Sequence, residues 1–325
     1  MRAWRVTGRG EPREVMSEVD TELEPVGPGE LRVKVAASAL GFPDVLMCRG
    51  IYPLTPPLPF TPGQEFAGTV VEVGPGVSTK VGARIMGVSA FMLGRGAFAP
   101  ECKTYEPMIF PAPDGMDDAA AASFTIAYHT AYLALVRRAK LVAGETMLVH
   151  GGAGGTGFAA IQLGKALGAR VIATAGGPEK VAFCRTLGAD IVVDYTLDDF
   201  VKPVNEATGG KGADIVYDPV GGEIFEQSMG CIASEGRLLP IGFACGRWGV
   251  VSPEALVLKN VSMVGALGGG FDRGYMLSVH DALMKLYAKG AIKIAIDRRI
   301  DFGEIRDGVQ ALADRKVRGR IVALA

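Results

Sequence analysis

The sequence predicts an α/β protein: a doubly wound parallel sheet accompanied by a smaller, β-rich and partly barrel-like domain. Three observations carry that expectation. Short apolar runs recur every 20 to 25 residues between positions 147 and 267, with helical stretches between most of them. Strands buried on both faces of a parallel sheet read in this way. A glycine-rich turn follows the first of these runs and opens a helical pattern. Before residue 120 the texture differs, with alternating or apolar runs separated by Pro- and Gly-rich joints, as in short strands joined by turns.

In chain order, residues 1–6 alternate like a strand and lack the apolar stretch of a signal peptide. Strand candidates follow at 31–37, 66–73, 84–88 and 97–105, with a proline-rich joint from Tyr52 to Gly63. Residues 119–136 form an uncharged run of 18, at the length where membrane spans begin. Seven alanines, Ser123, Thr125, Thr130 and His129 make it a buried helix instead. The parallel series is expected at 147–150, 170–175, 191–193, 214–217, 237–241 and 261–267. Pro178 suits the first turn of one intervening helix, and Gly188 and Gly209 suit helix exits. The tail offers an amphipathic helix at 275–289 and a strand at 320–323, expected to pack back on the first domain. The expected domains are therefore 1–122 with 268–325, and 123–267.

Composition narrows the function. The 325 residues carry 34 Lys and Arg against 35 Asp and Glu, a net charge of −1. Nucleic-acid and anionic-membrane binders need a basic surplus that is absent here. Five dispersed cysteines (Cys48, Cys102, Cys184, Cys231 and Cys245) include no C-x-x-C pair, which argues against a disulfide framework or a cysteine-built zinc site. The protein reads as cytoplasmic. The 45 glycines, about twice the usual share of about 7%, serve turns and close backbone approaches.

The strongest chemical signal is Gly152, Gly154 and Gly157 in G-x-G-x-x-G, placed between an apolar strand and a helix. One glycine permits the tight turn, one lets backbone N–H groups reach a pyrophosphate, and one lets the helix pack closely. The helix N-terminus then faces the phosphates with its partial positive charge. A site for NAD carries an acid about 20 residues on, for the ribose 2′-hydroxyl. The segment after Ala173 has none at the strand tip. Lys180 instead suits a 2′-phosphate, while Glu179 beside Pro178 supports a helix N-terminus. NADPH is the expected cofactor. Of the three histidines, His150 ends the first strand, and His129 and His280 default to packing or surface roles. No His or Cys pair has ligand spacing, so metal-dependent alcohol oxidation is not expected.

These residues resemble the medium-chain dehydrogenase/reductase superfamily, and within it the zinc-free NADPH:quinone oxidoreductase (zeta-crystallin-like) branch. The resemblance runs nearly end to end, through Gly41-Phe-Pro-Asp44, Gly50-Ile-Tyr-Pro53, Pro62-Gly-Gln-Glu-Phe-Ala-Gly68, the glycine turn, Leu187-Gly-Ala-Asp190 and Val216-Tyr-Asp-Pro-Val-Gly221. Zinc members carry His in Gly-His-Glu, where this chain has Gln64. The resemblance implies a Rossmann-type domain and a GroES-like, partly open barrel. It implies that Thr130 sits beside the nicotinamide, with Gly155 and Thr156 in the cofactor turn. Gly176 and Lys180 fall at the 2′-phosphate and Tyr195 at the adenosine end. Val220, Phe243 and Leu267 fall at strand ends lining the cofactor. Asp44 and Tyr52 match polar residues near the substrate mouth. Gly41 stands where many quinone reductases have Asn, and Leu46 where some have Tyr, which removes polar groups.

The expected function is hydride transfer from NADPH to a quinone or α,β-unsaturated carbonyl, with no metal. Tyr52 is the first candidate to orient or protonate the acceptor, since its phenol is a donor at neutral pH. Asp44 is the second, if burial keeps it protonated. The alternative is an NADPH-binding sensor or structural protein with little turnover. A homodimer is expected through residues 261–267, an apolar strand at the sheet edge.

Overall fold

The computed structural model describes residues 1–22, 24–197, 199–267 and 270–325. The chain divides into two compact units, residues 1–126 with 294–325, and residues 127–293. The first boundary falls four residues beyond the expected one. The second falls at 293/294; Gly268, where it was expected, lies outside the described residues. The tail is thus split. Helix Arg273–Ala288 belongs to the second unit, and the final strands return to the first together with helix Ile305–Ala313.

The first unit is built on a mixed, mainly antiparallel sheet. The 11-residue strand Glu30–Leu40 is its centre. Along one side it pairs with Glu65–Val73. On the other, its first half pairs with Glu101–Tyr105 and its last residues with Arg320–Leu324. Register shifts in its pairing with Glu65–Val73 bend the strand, as bulges do. Arg84–Val88 and Ile109–Pro111 continue beyond Glu65–Val73, and Ile296–Asp301 lies outside Arg320–Leu324. Among the described residues the sheet does not close into a barrel. Its core gathers Trp4, Val6, Leu40, Phe60, Phe91, Phe98, Ile305 and Ile321. The strand expected at 97–105 starts only at Glu101, because residues 95–100 bend along the loop at Pro62.

The second unit is a six-stranded, all-parallel sheet. In chain order its strands are Thr146–Val149, Arg170–Ala175, Ile191–Asp194, Ala213–Asp218, Ile232–Pro240 and Ser262–Met263. Across the sheet they lie third, second, first, fourth, fifth, sixth, the order of a dinucleotide-binding doubly wound sheet. Leu148, Ile172, Val216 and Leu238 are fully buried at its centre, which is why the sequence showed continuous apolar runs there rather than alternation. The last strand is shorter than expected, two residues instead of seven, and both are exposed. The single helix expected over 119–136 is broken into Asp118–Ala122 and Thr125–Tyr132. Tight turns of Ser123 N–H onto Ala120 and of Phe124 N–H onto Ala121 separate the two pieces. No described helix is long and apolar enough to cross a membrane.

Candidate functional site

The carboxyl ends of the six parallel strands bring together most of the residues singled out in the second unit. Gly151 to Thr156 follow the first strand, Gly176 the second, Tyr195 the third, Val220 the fourth, Phe243 the fifth and Leu267 the sixth. The order reverses between the first and fourth strands, and ligands of such sheets bind at that switch point. There the two turns meet: a Cβ on Gly151 would lie 3.5 Å from Val220 and 3.7 Å from Pro219.

Each glycine of the turn has its own task. Gly151, outside the G-x-G-x-x-G triplet, takes the left-handed conformation, φ +57°. The motif does not flag it. A Cβ on Gly157 would come within 2.3 Å of the Gly151 carbonyl oxygen, so helix Gly157–Ala166 starts only because that position is bare. A Cβ on Gly152 would meet Ala173, Cys184 and Ile161, each at 3.0 Å, so this glycine lets the turn settle on the second strand. Gly154 is exposed, with Gly155 and Thr156 half-buried beside it. A Cβ at 154 would find only the Gly151 oxygen, at 3.2 Å. The bare backbone at Gly154 and Gly155 fits an approaching pyrophosphate.

At the second and third strand ends, the Tyr195 ring packs over Gly176, whose Cβ would fall 2.6 Å from the phenol oxygen. Gly177 (φ +84°) opens helix Pro178–Thr186, whose first turn holds Glu179 and Lys180. Asp194 was not singled out from the sequence. Its carboxylate accepts from Gly177 N–H at 3.0 Å and from Thr196 N–H and hydroxyl at 3.0 and 2.6 Å. These bonds hold its carboxyl below the usual range. A recess of about 470 Å³, lined by Tyr195, Phe200, Ile224 and Gln227 among others, opens beside this loop. Val220 sits in a turn fixed by Asp218, which accepts from Val220 N–H at 2.7 Å and Gly221 N–H at 3.1 Å. The 243–247 loop is knit onto that turn by Cys245 N–H to the Val220 carbonyl at 2.9 Å. Phe243 is buried against Trp248, ring centres 4.6 Å apart. Leu267 is 70% exposed, and Thr130 lies half-buried on helix Thr125–Tyr132, away from the strand ends in sequence.

The histidines are structural. Ser228 donates its hydroxyl proton to the Ile224 carbonyl at 2.7 Å, so it accepts from His150 Nε2 at 2.9 Å. Nδ1 then accepts from the Thr174 hydroxyl at 3.1 Å. Burial holds this imidazole neutral, its pKa lowered to about 3. His129 Nε2 and His280 Nδ1 pair at 3.2 Å, both rings buried.

In the first unit, Asp44 lies in the first turn of helix Phe42–Arg49 and is wholly buried. It accepts from Gly41 N–H at 2.9 Å and from Gly63 N–H at 3.0 Å. Burial pushes its carboxyl up to about 6, against the pull of those two bonds. Tyr52 is half-buried, 6.5 Å from Phe91 between ring centres. Burial raises its phenol, and the neighbouring Gln64 amide pulls it back. Glu65 pairs with Arg320 in the core and accepts from Ile126 N–H at 2.6 Å. Among the described residues no three His, Cys, Asp or Glu side chains cluster as a metal would require. With Gln64 in the Gly-x-Glu motif, the residues present do not fit a zinc ion.

Comparison with known proteins agrees with this architecture. Residues 27–131 match the family described as alcohol dehydrogenase GroES-like domain, and 155–285 the family described as zinc-binding dehydrogenase. Quinone oxidoreductase-like protein 2 of Mus musculus is 35% identical over 98% of this chain and 94% of its own length. Quinone oxidoreductase of Pseudomonas aeruginosa is 33% identical, over 96% of each. The crystal structure of Escherichia coli quinone oxidoreductase, complexed with NADPH, superposes with a TM-score of 0.92 at 28% identity, covering all of both chains. The chain belongs to the medium-chain dehydrogenase/reductase superfamily, in its quinone oxidoreductase branch.

Proposed function

We propose that the protein is an NADPH-dependent oxidoreductase that reduces a quinone or an α,β-unsaturated carbonyl without a metal ion. The observation that carries the reading is the strand-end constellation of the second unit: a bare turn at Gly154 and Gly155, and a second strand that leads into Gly176 and Gly177 with no carboxylate of its own. Asp194, after the third strand, turns its Oδ1 to Gly177 and Thr196. Lys180 stands in the first helical turn after Gly177, where a 2′-phosphate needs a cation. Tyr195 covers Gly176 and offers a ring face to an adenine. The NADPH complex of the Escherichia coli relative supports the same cofactor.

When bound, NADPH supplies the hydride. The chain's own residues hold the cofactor's phosphates with backbone N–H groups, orient the acceptor, and deliver or relay the proton that completes the product. Tyr52, half-buried with a raised phenol, keeps its proton at neutral pH and is the side chain we assign to the acceptor. Asp44 positions backbone rather than substrate, because both its oxygens are engaged. Gln64 and the missing ligand cluster favour chemistry without zinc. We also assign the molecule a two-fold dimer joined at the Ser262–Met263 edge.

NADPH oxidation against a panel of quinones and enones tests the reading, with elemental analysis for zinc. Turnover of at least one acceptor, faster with NADPH than NADH and unaffected by chelators, is the expected result. Tight NADPH binding without turnover on any acceptor would instead identify a sensor. About one zinc per chain, retained after chelation, would overturn the metal-free reading.

A further inference from the structure

We infer that Gln64 is the hydrogen-bond donor that receives the acceptor's carbonyl oxygen, with Tyr52 beside it. A side-chain amide then stands at the sequence position where zinc members carry histidine. The inference deepens the function proposed above and rests on it for the class of acceptor. Gln64 is 6% exposed, yet its Nε2 has no hydrogen-bond partner among the described residues. Leaving such a donor unmet costs about 1–3 kcal/mol, and folded proteins seldom tolerate it without a use.

The backbone that carries this amide is held in place. Gly63 N–H donates to Asp44, and the Gly63 carbonyl accepts from Ser89 Oγ at 2.7 Å and Ala97 N–H at 2.8 Å. The Gln64 carbonyl accepts from Ser89 N–H at 2.8 Å. Gly63 itself, at φ +98°, lies so close to Phe98 that a Cβ would come within 2.5 Å of its ring. The loop is therefore clamped on both sides of Gln64. The Tyr52 phenol stands beside the same amide, so a phenol and an amide neighbour one another at this point. Donors fixed before the reaction are what stabilises an oxygen that gains negative charge. As the hydride's electron pair enters the conjugated system, the carbonyl π bond opens onto oxygen. The resulting oxyanion accepts from Gln64. The Tyr52 hydroxyl supplies the proton that completes the hydroquinone or saturated carbonyl, and regains one from water.

Gln64→Leu and Gln64→Glu test the assignment, with 1,4-naphthoquinone and 2-cyclohexen-1-one as acceptors. Gln64→Leu is expected to lower kcat/KM about 100-fold, the usual effect of losing one oxyanion donor, with the Kd of NADPH unchanged. Gln64→Glu is nearly isosteric. Its ionised form can only accept, so activity is low at neutral pH and recovers as acidification restores an O–H donor, a limb the wild type lacks. A second readout needs no turnover: the infrared carbonyl stretch of 13C-labelled cyclohexenone bound together with NADP+, lower in the wild type than in Gln64→Leu. Gln64→Leu activity within about twofold of wild type, a carbonyl stretch equal in both proteins, or no acid recovery in Gln64→Glu would each overturn the inference. If the wild type reduces no acceptor, the proposed function fails, and the carbonyl stretch still decides whether Gln64 holds the oxygen.

Discussion

Asp44 has both carboxylate oxygens committed, Oδ2 to Gly41 N–H and Oδ1 to Gly63 N–H, and no water-exposed surface. From sequence it stands as a candidate acid. Its actual partners are invisible there, because Gly63 lies 19 positions away and only the fold brings it close. Burial raises its carboxyl to about 6, so the folded protein binds that proton more tightly than the unfolded chain does. Its contribution to stability is then fullest below about pH 4 and is lost as pH rises through about 6. Asparagine does not titrate, and its NH2 must face one of the two N–H donors. Asp44→Asn should cost about 1–3 kcal/mol. In chemical denaturation, its deficit against wild type should be larger at about pH 4.5 than at about pH 7.5. A deficit that grows with pH would contradict the buried, raised carboxyl. Lys180 gives a complementary prediction for the cofactor. Lys180→Ala should weaken NADPH about tenfold or more, the worth of a hydrogen bond to a charged group, and leave NADH within about twofold. Equal Kd values for the two cofactors in the wild type would refute the 2′-phosphate assignment.

The element that makes the cofactor turn is the join between strand Thr146–Val149 and helix Gly157–Ala166. G-x-G-x-x-G is legible in the sequence because only glycine meets such constraints. Which constraint acts at which glycine is a matter of neighbours, and those come from Ala173, Cys184 and the Gly151 carbonyl. The distances separate two substitutions that look alike. Gly157→Ala drives a methyl into backbone, 2.3 Å from Gly151 O, and no rotamer relieves it. It should destabilise the protein by about 1–3 kcal/mol or more and lower the Tm even without cofactor. Gly154→Ala meets one atom at 3.2 Å, on an exposed backbone. It should leave the Tm nearly unchanged and weaken NADPH binding, since its methyl occupies the path of the pyrophosphate. Thermal melts with and without NADPH check both; a Gly154→Ala protein that binds NADPH normally would move the phosphates elsewhere. Strand interiors were readable for a different reason: full burial leaves continuous apolar runs. Helix Arg273–Ala288 shows the limit. An amphipathic stripe says that one face is covered, not by which unit, and this helix counts with residues 127–293 rather than with the returning tail.

At the scale of the whole molecule, the edge of the parallel sheet carries the proposed dimer. Ser262–Met263 pairs with Arg237 and Leu238 on one side only, and both residues are exposed. The strand and the chain just before and after it carry exposed apolar side chains: Val257 is 73% exposed, Leu258 77%, Met263 45% and Leu267 70%. An open strand edge flanked by exposed aliphatic groups invites pairing, and no lysine or proline within the strand blunts it. Aliphatic side chains left this bare in a cluster mark an interaction surface more often than an ordinary one. Because the apolar groups flank the edge in sequence, a two-fold axis beside the strand would let the same residues of two copies cover one another and continue the sheet. Light scattering at micromolar concentration should give about twice the chain mass of 34.0 kDa. Met263→Lys, which places a charge on the open edge, should halve that mass while leaving the far-ultraviolet circular dichroism and the NADPH affinity unchanged. A wild-type monomer would defeat the assignment. So would a Met263→Lys protein that stays dimeric, since the contact would then lie on some other face.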